Sequence, residues 1–240
     1  MAASNAKDEK TEVGTLPKGL AMLNVLANYP DGARFTDISE QTGYAVSTTH
    51  RIVNALVRQG FVEFNAARRL YSLGIRIFEL SHKVATVNSL AETAKPVMKR
   101  LVETCNHTVL LNLLDGKETL VLFREDPSQS VLVRTKIGSR LPLHSTASGK
   151  AILASFSDDY YRSFMKGVRL SSITDKTVVD KSSFHAEINR TRECGFGVVN
   201  EENELGIRAL AVVVPNTRQE ARLALSIAAP AFAVTEEQLK

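Results

Sequence analysis

The stretch Leu141-Pro-Leu-His-Ser-Thr-Ala-Ser-Gly-Lys150 gathers a histidine, three hydroxyls and a lysine within ten residues. It invites three kinds of chemistry, and spacing rejects two. A phosphate-binding loop ending in Gly149-Lys150 needs a glycine five positions earlier and a Ser or Thr after the lysine. The chain has His144 and Ala151 there. A Ser-Lys nucleophile needs S-x-x-K spacing, and Ser148 stands two residues before Lys150. What remains is a run of small polar residues that opens into a helix. Free N–H groups at a helix start bind carboxylates. Equally, Thr146 or Ser148 can simply cap the helix. Residue types alone leave both readings open.

Other chemistry is thinner. Gly195-Phe-Gly197 is an isolated G-x-G, and no G-x-S-x-G occurs. The five histidines (His50, His82, His107, His144, His185) never fall at metal-ligand spacing. The two cysteines, Cys105 and Cys194, form no C-x-x-C, so neither a zinc site nor a disulfide framework is expected. Glu201, Glu202 and Glu204 read as an exposed acidic loop rather than a general acid–base group. No metal, cofactor or catalytic residue is therefore expected. Hydrolysis or transfer at His144, Ser145 and Ser148 is the rival reading.

A second concentration is basic. Residues 44–76 hold Arg51, Arg58, Arg68, Arg69 and Arg76 against Glu63 alone, a net of +4. The whole 240-residue chain carries only +4. Arginine forks suit phosphates and guanine edges, but a solvated helix face could also carry them, so architecture must decide.

The elements around these arginines do so. Pro17 opens a helix bearing Leu20, Leu23, Val25 and Leu26. Asn28 to Gly32 is a stop and turn. Thr36, Ser39 and Glu40 read as a capped short helix that Gly43 ends. Placed at 100° steps, Ala45 to Gln59 puts Val46, Thr49, Ile52, Val53, Leu56 and Val57 on one side. Ser47, Thr48, Arg51, Asn54 and Arg58 fall on the other, with no acidic residue among them. His50 lies at the border and reads as a packed residue. Gly60 ends the helix. Two short strands, Phe61–Phe64 and Arg69–Leu73, then form a hairpin with Arg68 and Arg69 near its tip. Helix, short helix, turn, helix and hairpin describe a winged helix-turn-helix, with the longest helix in the major groove. The candidate DNA contacts are Thr36, Ser47, Thr48, Thr49, Arg51, Asn54, Arg68 and Arg69.

The sequence predicts a disordered tail over 1–16, the winged helix over 17–75, a linker helix over 76–87 and a second domain over 88–240. Ile75, Ile77, Phe78, Leu80 and Val84 make the linker amphipathic. After a further helix containing Pro96, strands are expected at 107–114, 119–123, 131–135, 196–199, 209–214 and 221–227. Helices are expected at 148–156 and 182–194. That order indicates an α+β domain. The polar N-terminus has no signal-peptide core, and no segment is long and apolar enough to span a bilayer, so a cytoplasmic location is expected.

Thr42-Gly-Tyr-Ala-Val-Ser-Thr-Thr-His-Arg51 resembles the recognition-helix signature of the isocitrate-lyase-regulator (IclR) family of bacterial transcription factors. Arg69 to Gly74, Leu141 to Ala151, Glu201 to Arg208 and Leu225 to Pro230 resemble further motifs of that family, in order, over residues 17–230. The resemblance implies a winged helix joined to a GAF-like effector domain, dimers or dimers of dimers on a palindromic double-stranded DNA operator, and a small carboxylate effector. The matching pocket positions are Val133, Leu141 and Ile207 as apolar walls, Ala147 and Ser148 as backbone donors, and Val199, Ala209, Ser226 and Ala228. Members that bind small 2-oxo acids have polar groups where this chain has Val199, Ala209 and Ala228. That departure implies a larger or aromatic acid. Ala45-Val46 replaces a frequent Pro-Lys, which removes one phosphate contact. The resemblance also places the start of a last helix near Lys240, which implies a shortened chain.

Overall fold

The computed structural model describes residues 14–128, 133–215 and 223–239. The chain divides into two compact units, Met1–Asn88 and Ser89–Lys240. Residues 1–13 of the expected tail lie outside the described residues, as do Val131, Leu132, Ala221 and Arg222 of two expected strands.

The first unit contains α1 (Thr15–Ala27), α2 (Phe35–Thr42) and α3 (Val46–Arg58), then the hairpin β1 (Val62–Asn65) and β2 (Leu70–Leu73). Met22, Leu26, Ile38, Ile52, Val53 and Val62 form its core. Burying each such side chain contributes about 1.5–3 kcal/mol. α1 begins two residues before Pro17, which sits in the first turn where no backbone N–H is required. Leu20 is exposed, because the buried stripe runs through Gly19, Met22 and Leu26. Thr36 does not cap α2. Arg34 occupies that position, and its N–H donates to the Asp37 carboxylate at 2.8 Å. α2 already begins at Phe35, so Thr36 is its second helical residue, past the position where a hydroxyl caps. Gly43, at φ 67°, makes the left-handed turn into α3. Val46, expected in the core, is exposed because α3 begins there and its first turn overhangs the packed face.

The expected linker helix is interrupted. α4 (Ile75–Ser81) ends at a turn, and α5 (Ala85–Cys105) begins beyond it, three residues before the sequence placed the next helix. Ser81 Oγ donates to the Phe78 carbonyl at 2.8 Å, and His82 Nδ1 lies 3.1 Å from the same oxygen. Side chains that engage the last carbonyls compete with helix continuation.

The second unit is a six-stranded antiparallel sheet in the order β5-β4-β3-β8-β7-β6. Its strands are β3 (Thr108–Asp115), β4 (Glu118–Glu125), β5 (Arg140–Pro142), β6 (Gly197–Asn200), β7 (Ile207–Val214) and β8 (Leu223–Pro230). Alternation gives the sheet two faces. Val109 and Leu111 of β3, with Leu223, Leu225 and Ile227 of β8, pack on Met98, Leu101 and Val102 of α5. The opposite face carries α6 (Ala147–Ala154), α7 (Asp158–Met165) and α8 (Lys181–Cys194) over Ile152, Leu153, Phe184 and Ile188. Residues 133–135, expected to be a strand, are not one. β5 and α7 were not expected: three residues show no alternation, and α7 buries only Tyr161. A short α9 (Glu236–Leu239) starts where Thr235 and Gln238 cap each other, four residues before Lys240.

Candidate functional site

In the first unit, Ser47, Arg51 and Arg58 are exposed along α3, and Thr48 and Asn54 are half-buried. Thr36 is exposed on α2. Thr49 is a correction. It is fully buried, so it cannot meet DNA, and its Oγ1 has no hydrogen-bond partner among the described residues. Helical position outranks residue type here: Thr49 shares its side with Ile52 and Val53. His50 is also corrected. It is exposed, sits edge-on to the Phe35 ring at 6.1 Å, and lies 3.2 Å from the Asn54 amide nitrogen. Arg51 leans toward α1, with Nη2 3.5 Å from Thr15 Oγ1. Arg68 and Arg69 are exposed at the hairpin tip, where the Arg68 N–H donates to Asn65 Oδ1 at 3.0 Å and Arg69 adopts φ 53°. A winged helix thus presents hydroxyl, amide and guanidinium groups, which suit phosphates and base edges.

In the second unit, the start of α6 forms one wall of a cleft. All nine pocket positions named from the sequence line it: Val133, Leu141, Ala147, Ser148, Val199, Ile207, Ala209, Ser226 and Ala228. Leu110, Asn112, Thr135, Thr146, Asn203 and Glu204 line it too and were missed. Asn112 carried a readable signal, a lone amide inside Val109-Leu-Leu-Asn-Leu-Leu114. A polar side chain in a buried strand needs partners or a purpose.

Local chemistry positions the wall. Thr146 caps α6 by accepting from the Gly149 N–H at 3.2 Å. Ala147 and Ser148, whose N–H groups precede the first intrahelical bonds, line the cleft. Capping and anion binding, open alternatives on sequence, are therefore compatible: the cap uses Thr146 and leaves two donors. α6 lies close on the sheet because Ala211 and Ala224 beneath it are small. Gly149 and Gly197 have no room for a Cβ against the Leu143 and Ala147 carbonyls. At its far end, Arg192 donates to the Ala154 and Phe156 carbonyls at 3.0 and 3.2 Å.

The rims are equally tied. Arg124 donates to the carbonyls of Val133 and Thr135, and its Nε lies 2.7 Å from Asp126, which holds that carboxyl below its usual range. In the β6–β7 loop, Asn203 Oδ1 accepts from Ser145 Oγ at 3.0 Å. The Glu202 carbonyl accepts from Thr177 Oγ1 at 2.7 Å. Glu202 is not the exposed acid expected. Only 7% of it is exposed, and it pairs with Lys150 Nζ at 2.7 Å, which also meets Glu187 at 2.5 Å. Burial raises the Glu202 carboxyl above its usual value, although Lys150 pulls it down. This arrangement opposes the enzymatic reading. Lys150 is bound between carboxylates, His144 Nε2 lies 2.8 Å from the Ser171 carbonyl, and Ser145 Oγ donates to Asn203. Among the described residues, no group of three or more His, Cys, Asp or Glu could hold a metal, and no helix is long and apolar enough to cross a membrane.

A winged helix-turn-helix on one unit and a small-molecule cleft on the other define a ligand-responsive transcription regulator. Comparison with known proteins agrees. Residues 15–66 match the IclR helix-turn-helix domain, and residues 82–240 match the bacterial transcriptional regulator IclR C-terminal domain. The chain belongs to the IclR family, whose members are transcriptional regulators rather than enzymes. It is 27% identical over 227 residues to the HTH-type transcriptional regulator XynR of Escherichia coli K12, covering 95% of this chain and 90% of that protein. The Thermotoga maritima IclR crystal structure matches with a TM-score of 0.77 at 27% identity, covering 94% of this chain and 91% of that one. An IclR homologue from Microbacterium hydrocarbonoxydans, complexed with 4-hydroxybenzoate, shares the fold with a TM-score of 0.83 at 23% identity, covering 94% and 93%.

Proposed function

We propose that this regulator senses a carboxylic acid with a bulky, apolar or aromatic body, and that the acid shifts its affinity for a palindromic operator. One observation carries the reading. Ala147 and Ser148, at the start of α6, line a cleft walled by Val133, Leu141, Val199, Ile207, Ala209 and Ala228. The helix start favours an anion by roughly 0.3–2 kcal/mol. The aliphatic walls favour apolar bulk over a second polar group. The Microbacterium homologue, complexed with 4-hydroxybenzoate, is a protein of this fold with an acid of this class.

Ser47, Thr48, Arg51, Asn54, Arg68 and Arg69, with Thr36 beside them, are the proposed DNA contacts. Two copies of the winged helix, as a homodimer or a dimer of dimers in the cytoplasm, would meet half-sites about one helical turn apart or a multiple of it. The proposed division is a winged helix over 17–75, a connector over 76–87 and an effector domain from 88 onward. The acid would favour one arrangement of the two winged helices over another. Calorimetric titration with glyoxylate, pyruvate and a set of aromatic acids tests the reading. Aromatic acids should bind and shift the melting temperature. Tight binding of glyoxylate alone would overturn it.

A further inference from the structure

The cleft contains a polar atom that the acid-binding reading does not use. Asn112 is 1% exposed and lines the cleft from β3. Its Nδ2 donates to Ser226 Oγ at 3.0 Å, and Ser226 Oγ lies 3.5 Å from the Leu110 carbonyl, to which it can pass its own proton. Asn112 Oδ1 has no hydrogen-bond partner among the described residues. Turning the amide over would take the Ser226 proton from the Leu110 carbonyl and leave Nδ2 without any acceptor. A buried acceptor without a partner destabilises the fold by its full desolvation cost.

The register explains its direction. Leu110 pairs with Ser226 and Thr108 with Ala228, so Leu110 and Asn112 share the cleft face of the sheet with Ser226 and Ala228. The strand register shifts between Leu111 and Asn112, a local irregularity of the kind that re-aims a side chain. Glu204, the carboxylate of the lining, belongs to the rim. It lies 3.7 Å from Arg134, whose side chain is 85% exposed.

We infer that Asn112 is a specificity-determining residue whose free carbonyl oxygen accepts a hydrogen bond from the effector. The effector is then an acid that also carries a donor, a hydroxyl or N–H, on its apolar body. The α6 start takes the carboxylate, and Asn112 takes the donor. An unsubstituted acid of the same shape leaves Oδ1 unpaired and binds more weakly. A site built to pair a substrate donor discriminates strongly against the analogue that lacks it. This inference rests on the acid-binding reading of the same cleft.

The test is calorimetric titration of the full chain with matched acids: benzoate, 3- and 4-hydroxybenzoate, 4-methoxybenzoate, and phenylacetate with 4-hydroxyphenylacetate. At least one hydroxy acid should bind roughly 5–30-fold more tightly than its unsubstituted and methoxy partners. Asn112→Leu should bring that ratio to about one while the unsubstituted acid still binds, a change that mere loss of packing does not produce. Equal affinity within every matched set for the wild-type chain overturns the role of Asn112 and leaves the acid site standing. Retention of the preference in Asn112→Leu also overturns it. Failure of every acid to bind overturns the acid site and this inference together. The wild-type ratios decide the matter even if Asn112→Leu does not fold.

Discussion

Replacing Lys150 by methionine takes one ammonium from between two carboxylates. Nζ lies 2.7 Å from both oxygens of Glu202 and 2.5 Å from Glu187 Oε2. The lysine side chain is 2% exposed and that of Glu202 9%. Methionine keeps most of the aliphatic stem, so the loss is chiefly electrostatic. Breaking a buried pair by removing one partner costs about 3–5 kcal/mol, because the other charge is left buried. At roughly 2–4 °C per kcal/mol for a unit of this size, its melting midpoint should fall by about 6–20 °C. The pH dependence supplies a second signature. Burial already lifts Glu202 above its unfolded value, and losing Lys150 lifts it further. A carboxyl raised in the folded state stabilises the fold fully below its unfolded pKa, and that contribution is lost as pH rises through the folded pKa. The loss in Lys150→Met should therefore be larger near pH 8 than near pH 5, and adding Glu202→Gln should recover part of it. Urea unfolding followed by circular dichroism at both pH values measures this. A loss under about 1 kcal/mol near pH 8, or one independent of pH, would refute the reasoning.

Gly197→Ala places a Cβ 2.9 Å from the Ala151 nitrogen and against the Ala147 carbonyl oxygen, so α6 must shift. It should destabilise the second unit by about 1–3 kcal/mol and weaken acid binding, read by denaturation and calorimetry; unchanged binding would disconnect α6 from the cleft. Thr49→Val removes a buried hydroxyl that has no partner among the described residues and should raise stability by about 1 kcal/mol. DNA affinity, read by gel shift, should not change. Arg51→Ala and Arg68→Ala should each weaken binding to operator DNA and, where the contact is to phosphate, lower the slope of log K against log salt by about 1. Acid binding should be intact in both, and unchanged footprints would remove these arginines from the interface.

Much of the winged helix was readable because its information is local. Gly43, Gly60 and the period of Ile52, Val53 and Leu56 are set by neighbours a few residues away. The errors there arose where type and position disagree. Thr49 has a hydroxyl suited to DNA but a place on the core side. Thr36 looks like a cap, yet the carboxylate of Asp37 serves Arg34 instead. In the second unit, β5 and residues 133–135 depend on edge pairing and on Arg124, which a strand's own alternation does not report.

By itself the sequence determined that residues 44–76 would be an arginine-bearing helix and hairpin, and that the run ending at Lys150 would open a helix. Capping, turns and amphipathic period act within a few residues. Only the tertiary structure decided what those features meet. Lys150, Glu187 and Glu202 are up to 52 residues apart, and Asn112 and Ser226 are 114 apart. Lys150, Glu187, Glu202 and Ser226 look like ordinary surface or strand residues in isolation. The fold makes them consequential by excluding water, so that a charge must find its opposite and a buried amide oxygen stands without a partner among the described residues.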